Sequence, residues 1–146
     1  MRIAAAAALL GMSLISGSAF AQAQRPAYAA GQVWQYRARP DDAASLLKIQ
    51  AVESDPALTR SGPIYHISII GIHLGTDRRL GEIGHLPVSK ATLDESVTQL
   101  VKTAVAFPDA TPGIASWRAA RGGVFTISVA EIVDIVDKRV LTPAGS

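Results

Sequence analysis

Ile64-Tyr65-His66-Ile67-Ser68-Ile69-Ile70-Gly71-Ile72-His73-Leu74 is the stretch on which the fold turns. β-Branched and aromatic residues suit a pleated, half-buried surface. Ile67, Ile69, Ile70 and Ile72 make the run apolar on both faces in its middle, as a central strand is. Upstream, Ser45 to Glu53 alternates, with Leu47, Ile49 and Ala51 on one face. Val33-Trp34-Gln35-Tyr36-Arg37 is a shorter strand, with both aromatics on one face. Arg39-Pro40-Asp41-Asp42 has turn chemistry, because Pro presets φ and Asp bonds its own backbone. Downstream, Gly75 to Arg79 turns the chain, and Leu80 to Leu86 is the candidate return strand. Such short connections predict an antiparallel meander of three or four strands.

Beyond Leu86 the apolar period lengthens. Ser89 can cap a helix, with Val88 and Leu93 placed as a hydrophobic staple. Leu93, Val97, Leu100, Val101 and Ala104 then recur at helical spacing. Thr111 is expected to cap a shorter helix with Pro112 at its first helical position, and Gly122 follows its end. Ser128-Val129-Ala130-Glu131 fits a capping box, and Val129, Ile132, Val133, Val136 and Val140 form a further stripe. The expected architecture is α+β: a three- or four-stranded antiparallel sheet covered on one face by helices from the C-terminal half.

The first residues are read apart from the fold. Arg2, the apolar run Ile3 to Ile15 and the small residues of Ala19-Phe20-Ala21 carry the three parts of a secretory signal peptide. Cleavage is expected after Ala21, or after Ala23 at a second A-x-A. The expected organisation is a signal peptide over 1–21, a flexible leader over 22–30, one domain over 31–140 and a frayed tail over 141–146. The apolar core of the signal falls short of the roughly 20 residues a membrane span needs. The expected location is the bacterial periplasm or outside the cell, with no stable membrane insertion after cleavage.

Composition limits the functions. The 146 residues are 49% hydrophobic and include no cysteine. That excludes a disulfide framework, a thiol nucleophile and a Cys-type zinc site. A net charge of +2 is too small for a dedicated nucleic-acid binder. The histidines lack a metal-ligand pattern: His66 and His73 lie seven apart on one strand and so on opposite faces unless a bulge intervenes. No metal and no cofactor is expected.

Gly31 to Arg37, His85-Leu86-Pro87 ahead of Ser96-Val97-Thr98, Trp117-Arg118, and Gly123-Val124-Phe125-Thr126-Ile127-Ser128 together resemble a group of small uncharacterised proteobacterial proteins. The resemblance spans most of the mature chain. It implies a folded domain and assigns no site.

Two functional expectations remain. Arg and Trp concentrate binding energy at interfaces. Arg78 and Arg79 on a turn, with Trp117, Arg118 and Arg121 on the short helix, are therefore the candidate binding residues. They suit a binding or accessory module, an inhibitor among others, for a protein or small-molecule partner. The alternative is a small hydrolase or isomerase. His85 sits at the strand-to-helix junction and is the catalytic candidate, with Asp94 or Glu95 as its carboxylate.

Overall fold

The computed structural model describes residues 25–141, so the expected signal peptide and most of the expected tail lie outside the described residues. Among the described residues the fold is α+β, built on one five-stranded antiparallel sheet and three α-helices. Strands β1 (Val33–Tyr36), β2 (Leu46–Val52), β3 (Ile64–Leu74) and β4 (Arg79–Ser89) form the meander. A 3₁₀ turn, Pro40–Asp42, joins β1 to β2. β3 lies between β2 and β4, as its continuous apolar run requires.

The strand count exceeds the expected three or four because of a fifth, β5 (Val97–Val101). Helix α1 (Lys90–Ser96) starts where expected, with Ser89 Oγ accepting from the Thr92 amide at 3.1 Å. It stops after seven residues, and Val97 turns extended at φ −72°, ψ 146°. β5 then pairs antiparallel with β1, Trp34 opposite Leu100 and Val33 opposite Val101. The helical spacing of Leu93, Val97, Leu100 and Val101 therefore spans two elements. Leu93 and Val97 are fully buried, whereas Leu100 is 41% exposed. An open β1 edge would leave backbone donors and acceptors unpaired, and pairing with β5 satisfies them where a continued helix would not.

The main core lies on one face of the sheet. Trp34, Leu47, Ile49, Ile67, Ile69 and Ile72 meet Leu93 of α1 and Val129, Ile132 and Val133 of α3 (Val129–Leu141) there. The capping box holds α3 as expected: Ser128 Oγ accepts from the Glu131 amide at 3.3 Å, and the Glu131 carboxylate accepts from the Ser128 amide at 3.0 Å. Helix α2 (Thr111–Ala120) departs from the expected one-faced cover. Its Trp117 stacks edge-on against His66, whose side chain lies on the face opposite Ile67. α1 and α3 thus cover one face and α2 the other.

Two features tie the ends together. Tyr28, in the segment expected as a leader, stacks edge-on against Trp34 at 5.7 Å and Tyr65 at 5.6 Å, and its hydroxyl donates to Asp94 at 2.8 Å. At the far end of β3, the carboxylate of Asp137 on α3 accepts from Arg39 and Arg78, each at 2.9 Å, and from the Gly75 amide at 2.8 Å. Among the described residues no helix is long and apolar enough to cross a membrane.

Candidate functional site

The site begins with a buried titratable residue in an apolar strand. His66 is fully buried on β3. A buried imidazole must find hydrogen-bond partners or lose several kcal/mol of solvation. Two neighbouring segments supply them. The Glu53 amide donates to the Ile64 carbonyl at 2.8 Å, which brings the Glu53 side chain alongside the start of β3. Glu53 Oε2 lies 3.2 Å from His66 Nε2. On the other side, β4 pairs with β3 and sets His85 Nε2 2.8 Å from His66 Nδ1. Glu53, His66 and His85 thus form one continuous string.

Helix α2 lies along that string. Gly113 stands over His85, Trp117 over His66, and Arg118 reaches Glu53. Arg118 grips the carboxylate with two donors, Nε to Oε2 at 2.9 Å and Nη2 to Oε1 at 3.4 Å. The amides of Ser54 and Asp55 donate to Oε1 at 3.1 Å. Trp117 is pinned by its own indole N–H, which donates to the Gly123 carbonyl at 2.9 Å. A Cβ at Gly122 would fall 2.3 Å from the Trp117 ring, so only glycine closes that helix end.

Electrostatics assigns the protons. Burial alone would raise the Glu53 carboxyl, but Arg118, the Asp55 amide and His66 outweigh it and hold it at about 2. Glu53 is therefore ionised and can only accept, so His66 Nε2 carries a proton and donates to it. Burial lowers His66 below the usual imidazole range against the pull of Glu53. Burial, then the adjacent His66, brings His85 down to about 4. Both rings are neutral at pH 7. With His66 Nε2 protonated, its Nδ1 is bare, and His85 Nε2–H donates to it. His85 Nδ1 is left as a lone-pair acceptor. It has no partner within the described residues and it is not fully enclosed.

The sequence candidates divide between two places. Trp117 and Arg118 join the string, and Arg121 caps the same helix in the left-handed region at φ 47°. Arg78 and Arg79 sit at the opposite end of β3, about 25 Å away by strand rise. Arg78 is engaged with Asp137 and Asp41, and Arg79 with Asp77. His85 is half-buried, and its carboxylate is Glu53 at one remove. Asp94 is bonded instead by Tyr28 and Lys90. A register shift at Gly71 does interrupt β3 between the two histidines, but His73 Nδ1 is held by Asp42 at 3.0 Å and takes no part. Among the described residues no three His, Cys, Asp or Glu side chains gather as a ligand set.

Sequence reading missed Glu53 and His66. Their sign was a histidine inside an isoleucine run, together with Gly113, a glycine in the first turn of a helix.

A cleft of about 340 Å³ adjoins the helix end, between Leu58, Ser61, Pro63 and Ile64 on one side and Val124 and Thr126 on the other. Compared with family models, curated proteins and solved structures, the chain matches none.

Proposed function

We propose that the protein is an exported binding module that recognises its partner through the end of α2 and the adjoining cleft. The carrying observation is Arg118. Its side chain is 51% exposed, yet buried Glu53 fixes it from below. An arginine already held in place loses little conformational freedom when a partner arrives, and such preorganised anchors concentrate binding energy. Arg121 follows one turn on, also exposed and with no ion pair among the described residues. Gly122 and Gly123 then lead directly to Val124 in the cleft wall. The face suits a ligand or peptide with an apolar group for the cleft and an acidic group for the arginines. Export rests on the signal-like start of the sequence.

Binding ranks ahead of a His85 hydrolase or isomerase because a base works best with a pKa near the operating pH. An imidazole held at about 4 is a feeble base at neutrality. The test is affinity capture from periplasmic extract with the mature protein, compared with Arg118→Gln and with Arg121→Glu. The expected result is a partner retained by the wild type and released faster by each variant, with thermal stability unchanged for Arg121→Glu. Equal retention by all three overturns the reading.

A further inference from the structure

The Glu53–His66–His85 string ends at an atom that nothing within the described residues uses. We propose that Glu53, acting through His66, locks His85 in its Nε2–H tautomer, so that the outward Nδ1 is a dedicated acceptor for an N–H or O–H donor of a ligand. This inference stands apart from the arginine face and survives if the capture assay fails.

The lock follows from donor counting. Glu53 Oε1 is committed to two fixed donors, the amides of Ser54 and Asp55. Oε2 faces Arg118 Nε–H and His66 Nε2. A carboxylate has no proton to give, so His66 must present N–H to Oε2 and a lone pair to His85. His85 must then present Nε2–H inward. A free neutral imidazole chooses between its tautomers according to its surroundings, but this one has the choice made for it from two residues away. The groups facing the string are Glu53 at the end of β2, His85 on β4 and Arg118 on α2. Trp117 packs its ring against His66 in a T-shaped arrangement and brings it no hydrogen bond. Gly113 keeps the His85 side open, since a Cβ there would stand 3.0 Å from Nδ1.

The same counting foresees a reversal. In Glu53→Gln the amide oxygen must stay with the Ser54 and Asp55 amides, because two donors cannot face two donors. The NH₂ then takes the Oε2 position and donates to His66 Nε2. His66 must carry its proton on Nδ1, and His85 must carry its own on the outward Nδ1. Arg118, half exposed, swings away from the NH₂ it can no longer bond.

Ring ¹⁵N NMR of the full mature chain at pH 7 reads each nitrogen as protonated or bare. The expected wild-type pattern is His66 Nε2–H with bare Nδ1, and His85 Nε2–H with bare Nδ1. Glu53→Gln is expected to invert both. Pyrrole, whose N–H donates and whose nitrogen has no free lone pair to accept, is then added: the His85 Nδ1 resonance should move saturably in the wild type and stay fixed in Glu53→Gln. A wild-type His85 protonated on Nδ1 overturns the lock, and that spectrum alone decides if the variant does not fold. A folded Glu53→Gln with unchanged tautomers also overturns the lock. A bare Nδ1 that pyrrole leaves unmoved overturns the ligand subsite.

Discussion

Gly113 approaches His85 so closely that a Cβ at position 113 falls 2.5 Å from the His85 Cβ and 2.9 Å from its Cγ. The first turn of α2 therefore rests on the strand at the one place where its residue has no side chain. Two effects oppose each other in Gly113→Ala. Helix propensity favours alanine by up to about 1 kcal/mol. The forced contact costs about 1–3 kcal/mol, because neither backbone can yield cheaply. The expected outcome in urea unfolding is net destabilisation, with displaced His85 ring resonances. A stabilised variant would show that α2 does not seat on β4.

Leu93 and Leu100 share one apparent helical stripe in the sequence but part company in the fold. Leu93→Ala empties a fully buried site and is expected to cost about 2–5 kcal/mol. Leu100→Ala removes a side chain 41% exposed on β5 and is expected to cost less than about 1 kcal/mol. Denaturant midpoints of the two variants, compared at equal slope, check this. Equal losses would restore a single helix through both positions.

Those two leucines also mark how far the sequence could be read. β3, its flanking turns, the Ser89 cap and the Ser128–Glu131 box are local patterns, and each stands where its residues placed it. β5 is different, because nothing within Val97–Val101 distinguishes a strand from a helix turn; the open edge of β1, more than 60 positions earlier, decides it. The site was half legible for the same reason. Trp117, Arg118 and His85 stand out by residue type. Glu53 and His66 acquire meaning only when strand pairing sets them 3.2 Å apart.

Stability should fall in acid through this string. Unfolded, His85 gains a proton as pH drops through about 6.5, while the folded chain refuses it down to about 4. The unfolded state thus binds more protons across that window, and stability declines as pH falls through it. Glu53 acts lower. Its contribution is present above the unfolded value of 4.5 and is lost as pH falls towards about 2. Urea midpoints measured from pH 7.5 to pH 3 should decline in two overlapping stages. His85→Gln should shrink the upper stage, to which the lowered His66 also contributes, and leave the lower one. An unaltered profile in that variant would remove His85 from the account.

Asp137 is expected to be the costliest charge to delete at the far end of the sheet. Its carboxylate side chain is 9% exposed and serves Arg39, Arg78 and the Gly75 amide. Asp137→Ala leaves the 12%-exposed Arg39 with one less partner in a largely dry site, and about 3 kcal/mol should be lost. Arg78→Ala deletes a 41%-exposed partner and should cost about 1 kcal/mol or less. Thermal unfolding of both variants ranks them, and a reversed order would refute the network as drawn.

Tyr28 tests whether the segment before β1 belongs to the fold. Tyr28→Phe keeps both edge-on ring contacts and loses only the hydroxyl bond to Asp94, at about 0.5–1.5 kcal/mol. Tyr28→Ala also loses two aromatic contacts, each worth about 0.5–1.5 kcal/mol. Unfolding energies should therefore rank wild type, Phe, Ala. No difference between Phe and Ala would mean that the rings do not pack.

The β1–β5 pairing imposes an order on assembly. Among the described residues β1 is the first strand to be made, yet its second neighbour arrives only with Val97–Val101, and the core cluster that includes Trp34 is completed by Val129 to Val133. Long loops must close before those contacts return any stabilisation. The hairpins of β1 to β4 can close in the order they are made, but a chain still emerging holds its oldest strand open on one side until Val97–Val101 is free. Its first strand is thus among the last to be fastened on both sides.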